Sequence, residues 1–193
     1  MKKILALGSF LTLVLPVNAG SFYVTLSGGI SSPKDTDLLQ IGGSEYATFT
    51  TDDAFSGEFG IGYDFENTIR TDITYSRSKH DIDNLFNSAG EAELSNIFLN
   101  IYADFESSNS KFTPYVGAGV GSSTFDLVFD GTTFSDSSTT YQVKVGTNYA
   151  VSKKANLFLE GAYSTISKLT YTEAEGTLKP NIISYKAGLR YTF

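Results

Sequence analysis

The chain has 193 residues, a formal net charge of −7 at neutral pH and no cysteine. The acidic balance argues against nucleic acid as a partner, because that class clusters Lys and Arg along one face. The lack of cysteine excludes a disulfide framework. With 12 Tyr, 15 Phe and 18 Gly, the composition favours strands over helices.

Residues 1–19 have the pattern of a signal peptide. Lys2 and Lys3 are followed by an apolar run over residues 4–14, and small residues precede a cleavage point after Ala19. The apolar run is too short to span a bilayer, which argues against a membrane anchor. Without the two lysines, the mature chain has 12 basic and 21 acidic residues and a net charge of −9.

Residues 20–193 are predicted to form one domain built from strands. Apolar and polar residues alternate with period two in eight segments, as in strands with one apolar face. The segments are residues 22–30, 55–65, 69–76, 96–105, 112–121, 141–151, 156–165 and 181–193. No second run of about 18 apolar residues is present, so no transmembrane helix is predicted.

The gaps between these segments alternate in length. Long gaps cover residues 31–54, 77–93, 122–140 and 166–181, and short gaps cover residues 66–68, 106–111 and 152–155. Outer-membrane barrels have short periplasmic turns, long surface loops and an even number of strands. The sequence therefore predicts an all-β fold, an eight-stranded antiparallel up-and-down transmembrane β-barrel with both chain ends in the periplasm.

A soluble lipocalin-like barrel is the competing architecture, with its apolar face lining a ligand cavity. Aromatic residues favour the membrane barrel, because they lie at or near the ends of the apolar faces, where membrane girdles occur. These residues are Phe55, Phe65, Tyr141, Tyr149, Tyr185 and Tyr191.

Charges on the polar faces are placed to pair across neighbouring strands. If residues 66–68 form a hairpin turn, Asp64 lies opposite Arg70, and Lys144 lies diagonal to Glu160 across the next short turn. Paired charges suit a packed polar interior. We therefore predict Asp64–Arg70 and Lys144–Glu160 as interior charge pairs.

Two motifs carry a family resemblance. The run TPYVGAGVG at residues 113–121 and the ending GLRYTF at residues 188–193, together with the eight alternating strands, resemble the small outer-membrane β-barrels that include OmpX, the OmpA barrel and the opacity-type surface antigens. The resemblance implies a monomer in the outer membrane of a Gram-negative cell, surrounded by lipid. It also implies that periplasmic chaperones and the barrel assembly machinery are partners, with Tyr191 and Phe193 as the assembly signal.

The same resemblance implies a structural or surface-interaction role, with an extracellular ligand bound through the long loops. An adhesin or surface antigen acting through those loops is one alternative. A small porin is another, although the interior of an eight-stranded barrel is just wide enough for its own side chains. The sequence alone does not separate these roles.

His80 is the only histidine, and some eight-stranded barrels are lipid A-modifying enzymes built around His and Ser. Ser78 and Ser88 are near His80, but the polar surroundings predict a solvated loop histidine, and no enzyme is predicted.

No metal or cofactor is predicted. The Asp35-x-Asp37 and Asp52-Asp53 clusters lack a Gly-spaced ligand loop. Three alternating glycines, Gly117, Gly119 and Gly121, are expected to make room inside a narrow barrel rather than to bind phosphate.

Overall fold

The structure is a computed structural model. It describes residues 20–34, 36–40, 45–49, 52–65, 68–85, 88–106, 110–129, 132–167, 169–171, 176–178 and 181–193. The predicted signal peptide, residues 1–19, lies outside these ranges. Among the residues that the structure describes, no helix has the length and hydropathy needed to cross a bilayer.

Within the described residues the chain forms twelve strands. They are β1 (Ser21–Pro33), β2 (Thr36–Gln40), β3 (Glu45–Phe49), β4 (Ala54–Asp64), β5 (Ile69–Leu85), β6 (Ser88–Asp104), β7 (Phe112–Phe129), β8 (Thr132–Ala150), β9 (Ala155–Ile166), β10 (Leu169–Tyr171), β11 (Gly176–Leu178) and β12 (Asn181–Thr192).

Eight of these strands close into a barrel. The order around the barrel is β1-β12-β9-β8-β7-β6-β5-β4, and each neighbouring pair is antiparallel. Closure occurs where β1 pairs with β12, with Val24 opposite Tyr191, so no barrel edge is left with unpaired backbone groups. The predicted eight-stranded antiparallel up-and-down barrel is confirmed.

The outer face of the barrel is apolar. Large apolar side chains such as Leu26 and Val145 are more than 60% exposed, while the alternate positions on the same strands point into a polar interior. An exposed apolar band of this extent suits hydrocarbon rather than water. The lipocalin-like arrangement, with the apolar face inside, is therefore wrong.

Inward-facing aromatic side chains lie opposite glycines on the neighbouring strand. The directly opposed pairs are Tyr23–Gly62, Phe98–Gly121, Tyr102–Gly117, Tyr115–Gly146 and Phe158–Gly188. A Cβ atom added at any of these five glycines would clash with the ring opposite it. The glycines therefore let large rings fill a narrow barrel, as the alternation in β7 predicts.

The two ends of the barrel differ. At one end, here called the short-turn end, brief turns join β4 to β5, β6 to β7 and β8 to β9. Residues 20 and 193 lie at the same end, because Phe193 N–H donates to Phe22 O at 3.0 Å. At the other end, the long-hairpin end, β5 to β8 extend far past the predicted strand ends.

The long gaps that the sequence assigns to loops contain much regular structure. Strands β5 and β6 pair as far as Leu85 and Ser88, and β7 and β8 pair as far as Phe129 and Thr132. A second sheet has the order β10-β11-β2-β3, so the first and last long gaps are hydrogen-bonded to each other. Period-two patterning did not predict these strands, because polar hairpins outside a membrane have no apolar face.

Candidate functional site: the lumen and the long-hairpin end

The lumen of the described barrel buries a balanced set of charges. Four carboxylates and four cations each have a relative exposure of 9% or less: Glu58, Asp72, Asp104, Glu160, Arg70, Lys144, Lys186 and Arg190. Buried charges need partners to offset their desolvation. The negative net charge of the chain therefore arises outside the lumen.

Lys144 and Glu58 lie at the centre of one ion-pair network. Lys144 Nζ is 2.9 Å from Glu160 Oε1 and 3.5 Å from Glu58 Oε1, and Lys186 Nζ is 2.5 Å from Glu58 Oε2. Tyr115 Oη donates to Glu160 Oε2 at 3.0 Å. The structure thus brings together Lys144 and Glu160, because Lys144 lies opposite Ala162, two residues from Glu160.

Arg70 lies in a second network nearer the short-turn end. Asp64 is its cross-strand neighbour in register, as expected from the sequence, but the carboxylate 2.9 Å from Arg70 Nε belongs to Asp104. The guanidinium carbon also lies 3.7 Å from the ring centroid of Tyr102 and 4.7 Å from that of Tyr115. Ring faces and one carboxylate together hold this charge.

Asp72 is held by neutral donors. Its carboxylate accepts from Asn100 Nδ2 at 2.8 Å, Tyr23 Oη at 3.2 Å and Tyr102 Oη at 3.3 Å. Sequence reasoning did not single out Asp72 or Asp104. Both alternate with apolar residues along their strands, and this alternation could have shown that they point inward. Their partners could not be predicted, because these depend on the register across two strands.

The space left between these side chains is small. One cavity of about 10 Å³, bordered by Arg190 and Asn148, lies toward the short-turn end. Another, of about 30 Å³, is bordered largely by Ser and Thr hydroxyls and by Lys186. Glu58 borders both cavities. Volumes of this size hold about one or two water molecules, so the lumen is filled by the protein.

An apolar cluster lies above the larger cavity, toward the long-hairpin end. Leu94, Ile166 and Ile182 are each no more than 8% exposed, and Phe125 packs against them. They come from β6, β9, β12 and β7, so they cover the lumen from several sides. The lumen is therefore polar in its middle and apolar at this end.

His80 is buried in the barrel, with 2% exposure, and the predicted solvated loop histidine is wrong. The reason is that β5 continues to Leu85, which keeps His80 on the inward face. Its Nδ1 lies 3.0 Å from Asp52 O and its Nε2 lies 3.0 Å from Ser78 Oγ. Since a carbonyl can accept but not donate, Nδ1 donates the first of these hydrogen bonds.

Polar pairs lie on the outer face of the long hairpins, beyond the apolar band. Arg77 Nε is 2.5 Å from Glu93 Oε1 on the facing strand, and Thr124 Oγ1 is 2.9 Å from Ser137 Oγ. The hydrogen bond from Arg77 lowers the pKa of Glu93. These groups mark the part of the hairpins that is in water.

The terminal aromatic residues lie at the rim of the short-turn end. Tyr191 and Phe193 are 40% and 66% exposed, and their ring centroids are 5.5 Å apart. Such rings suit the boundary between lipid and water. Within the described ranges, no group of three or more His, Cys, Asp or Glu residues is arranged to hold a metal ion.

Comparison with known proteins shows where this architecture recurs. Neisserial surface protein A has a similar crystal structure, with a TM-score of 0.69 and 22% identity, covering 91% of this chain and all of that chain. The outer membrane protein OprG of Pseudomonas aeruginosa has a TM-score of 0.63 and 19% identity, covering 91% of this chain and 96% of that chain. At these identities the likeness shows the fold.

A curated relative also matches in sequence. The candidate adhesin RC1281 of Rickettsia conorii is 31% identical over 121 residues, which cover 51% of this chain and 48% of that protein. The match thus spans about half the length of that relative. Residues 4–193 match the outer membrane protein beta-barrel domain family, and with the closed barrel, apolar outer face and filled polar lumen this shows that the chain is a member of that family of outer-membrane barrels.

Proposed function

We propose that this protein is a surface-interaction barrel that binds an extracellular ligand through its long-hairpin end, as an adhesin does. The observation that carries the proposal is the length of β5 to β8, which run 17 to 19 residues each. A tilted strand needs about 9–11 residues to cross a membrane. Roughly half of each strand therefore projects beyond the bilayer at one end.

The orientation follows from the turns. In barrels of this kind the short turns face the periplasm and the long connections face outward, so the long-hairpin end is placed outside the cell. Binding residues concentrate on connections held by a rigid scaffold. The similarity to the Rickettsia conorii candidate adhesin supports adhesion as the role.

The small volume of the lumen cavities argues against the alternative of a small porin. The cavities of about 10 and 30 Å³ are far below the space that a hydrated solute needs. A catalytic role for Ser78 and His80 has little support for the same reason, because both side chains are buried and the cavity beside Ser78 holds one or two waters.

Two further assignments belong to this proposal. Residues 1–19 direct secretion and are removed after Ala19, leaving residues 20–193 as the barrel. Tyr191 and Phe193 form the signal that the barrel assembly machinery reads, with periplasmic chaperones carrying the chain to it.

Shortening the β7–β8 hairpin tests the function. Residues 127–134 are replaced by Asn-Gly between Asp126 and Ser135, which are paired in register, so the barrel below is unchanged. In a non-adherent Gram-negative host, the wild-type protein is expected to raise binding to epithelial cells or matrix proteins at least tenfold, and the shortened variant to lose that gain. Gly57→Ala, on the lipid face, is the control and is expected to keep the wild-type gain in adhesion.

Heat-modifiable migration in gels verifies that each variant is folded. If the folded shortened variant adheres as well as the wild type, the assignment of binding to this hairpin is wrong. If the wild type adds no adhesion to either surface, the adhesive role is wrong and a structural role in the membrane is the better account.

A further inference from the structure

Three lysines cluster at the short-turn end, on turns that flank β7, β8 and β9. Lys111 ends the β6–β7 turn, and Lys153 and Lys154 lie in the β8–β9 turn, all with exposed side chains. The two turns are adjacent, because Ala150 N–H donates to Lys111 O at 2.9 Å. One side of this rim therefore carries three positive charges.

Hydrogen bonds hold the second turn in place. Ser152 Oγ accepts from the N–H groups of Lys154 at 3.2 Å and Ala155 at 3.0 Å. Lys154 O accepts from Thr192 N–H on β12 at 2.8 Å. Lys153 and Lys154 thus lie on an ordered turn that is also hydrogen-bonded to β12.

Aromatic rings place the lysines relative to a bilayer. Phe112 is 54% exposed and Tyr149 36% exposed on the outer face, with ring centroids 5.0 Å apart. Lys111 Nζ lies 6.0 Å from the Tyr149 centroid. Because exposed aromatic rings mark the headgroup level, the ammonium group of Lys111 lies at the depth of the lipid phosphates, and the adjacent turn brings Lys153 and Lys154 to the same rim.

Nearby charges leave the cluster basic. Arg70 and Arg190, also toward this end, point into the lumen, where Asp104 lies near both. Glu106 is an exposed carboxylate in the β6–β7 turn, but it follows β6, on the far side of that turn from β8. Among the charged side chains described at this rim, the exposed lysines therefore lie on the side formed by β7, β8 and β9.

We propose that Lys111, Lys153 and Lys154, with the Phe112–Tyr149 ring pair, form a binding surface for anionic phospholipid headgroups of the surrounding bilayer. The rings contact the lipid at the interface, and the ammonium groups bind its phosphate. With the orientation proposed above, these headgroups belong to the periplasmic leaflet. Only this assignment to a leaflet rests on the proposed function; the binding surface itself does not.

Spin-labelled lipids test the proposal on the refolded full barrel in phosphatidylcholine vesicles. The measured quantity is the association constant of spin-labelled phosphatidylglycerol relative to spin-labelled phosphatidylcholine. A lysine near the surface contributes about fivefold for a lipid that it contacts, so the average over all boundary lipids is expected to favour phosphatidylglycerol about twofold to threefold.

The triple variant Lys111→Gln, Lys153→Gln, Lys154→Gln is expected to bring this ratio to about one. The matched control, Lys34→Gln, Arg77→Gln, Lys79→Gln, removes the same net charge from the long-hairpin end and is expected to keep most of the preference. In 1 M salt the wild-type preference should fall, since screening then acts within about 3 Å.

An unchanged ratio in the first triple variant, or an equal loss in both variants, would overturn the proposal. Vesicles expose both ends of the barrel to the same lipid. An error in the cellular orientation or in the adhesive role would therefore leave this result unaffected.

Discussion

The guanidinium carbon of Arg70 lies 3.7 Å from the ring centroid of Tyr102, and this contact links a glycine to a buried charge. Tyr102 is opposite Gly117, where any side chain would displace the ring. The ring covers Arg70, whose Nε binds Asp104. Gly117 therefore helps to hold the Arg70 cation in the lumen, because it leaves room for the Tyr102 ring that covers it.

Arg70→Leu is expected to destabilise the barrel strongly, because it leaves the buried Asp104 carboxylate without its hydrogen-bonded partner. Removing one member of a buried ion pair costs about 3–5 kcal/mol. Arg190 Nη1, at 3.9 Å from Asp104, offsets part of this loss. Urea midpoints in vesicles measure the effect.

Arg77→Leu is the matched control, since this arginine pairs with Glu93 on the exposed outer face. Its midpoint should remain close to the wild-type value, because exposed pairs contribute little. Equal midpoints for the two variants would show that the Arg70–Asp104 contact does not stabilise the lumen.

Gly117→Ala is expected to cost about 1–3 kcal/mol, because its Cβ would lie 2.5 Å from Tyr102 Cδ1 and overpacking destabilises by that amount. Gly57→Ala is the control, since a Cβ there meets nothing within 4 Å. The same urea titration compares them. A stable Gly117→Ala barrel would mean that the Tyr102 ring can move aside.

The sequence predicted the barrel well because a membrane imposes period-two patterning on every crossing strand. It placed Lys144 and Glu160 near each other, since one short turn fixes their register. It missed Asp104 as the partner of Arg70. Arg70 lies on β5 between Asp64 on β4 and Asp104 on β6, and the sequence does not show which carboxylate its side chain reaches. His80 was misplaced for another reason: no apolar face marks the continuation of β5 beyond the bilayer.

Planar bilayers containing the wild-type protein are expected to show no steady open conductance. The lumen is filled, and Glu58, which is paired with Lys144 and Lys186, borders both water-sized cavities. A stable ohmic current that scales with the amount of protein would support the porin alternative.

Deletion of Phe193 is expected to leave secretion across the inner membrane intact but to lower the folded, heat-modifiable population in the outer membrane. Folding into detergent micelles should change far less, because the deletion removes one rim side chain that is 66% exposed. Cell fractionation measures the effect. Wild-type levels and rates in the outer membrane would contradict an assembly role for Phe193.

The orientation of the barrel, on which the surface role depends, is tested most directly by cysteine labelling of intact cells. The chain has no cysteine, so Ser135→Cys, exposed near the end of the β7–β8 hairpin, and Lys153→Cys, exposed in the β8–β9 turn, each give a single reporter. With a membrane-impermeant maleimide, Ser135→Cys is predicted to label on intact cells and Lys153→Cys to label only after the outer membrane is opened. Labelling of Lys153→Cys on sealed cells, with Ser135→Cys protected, would contradict the account.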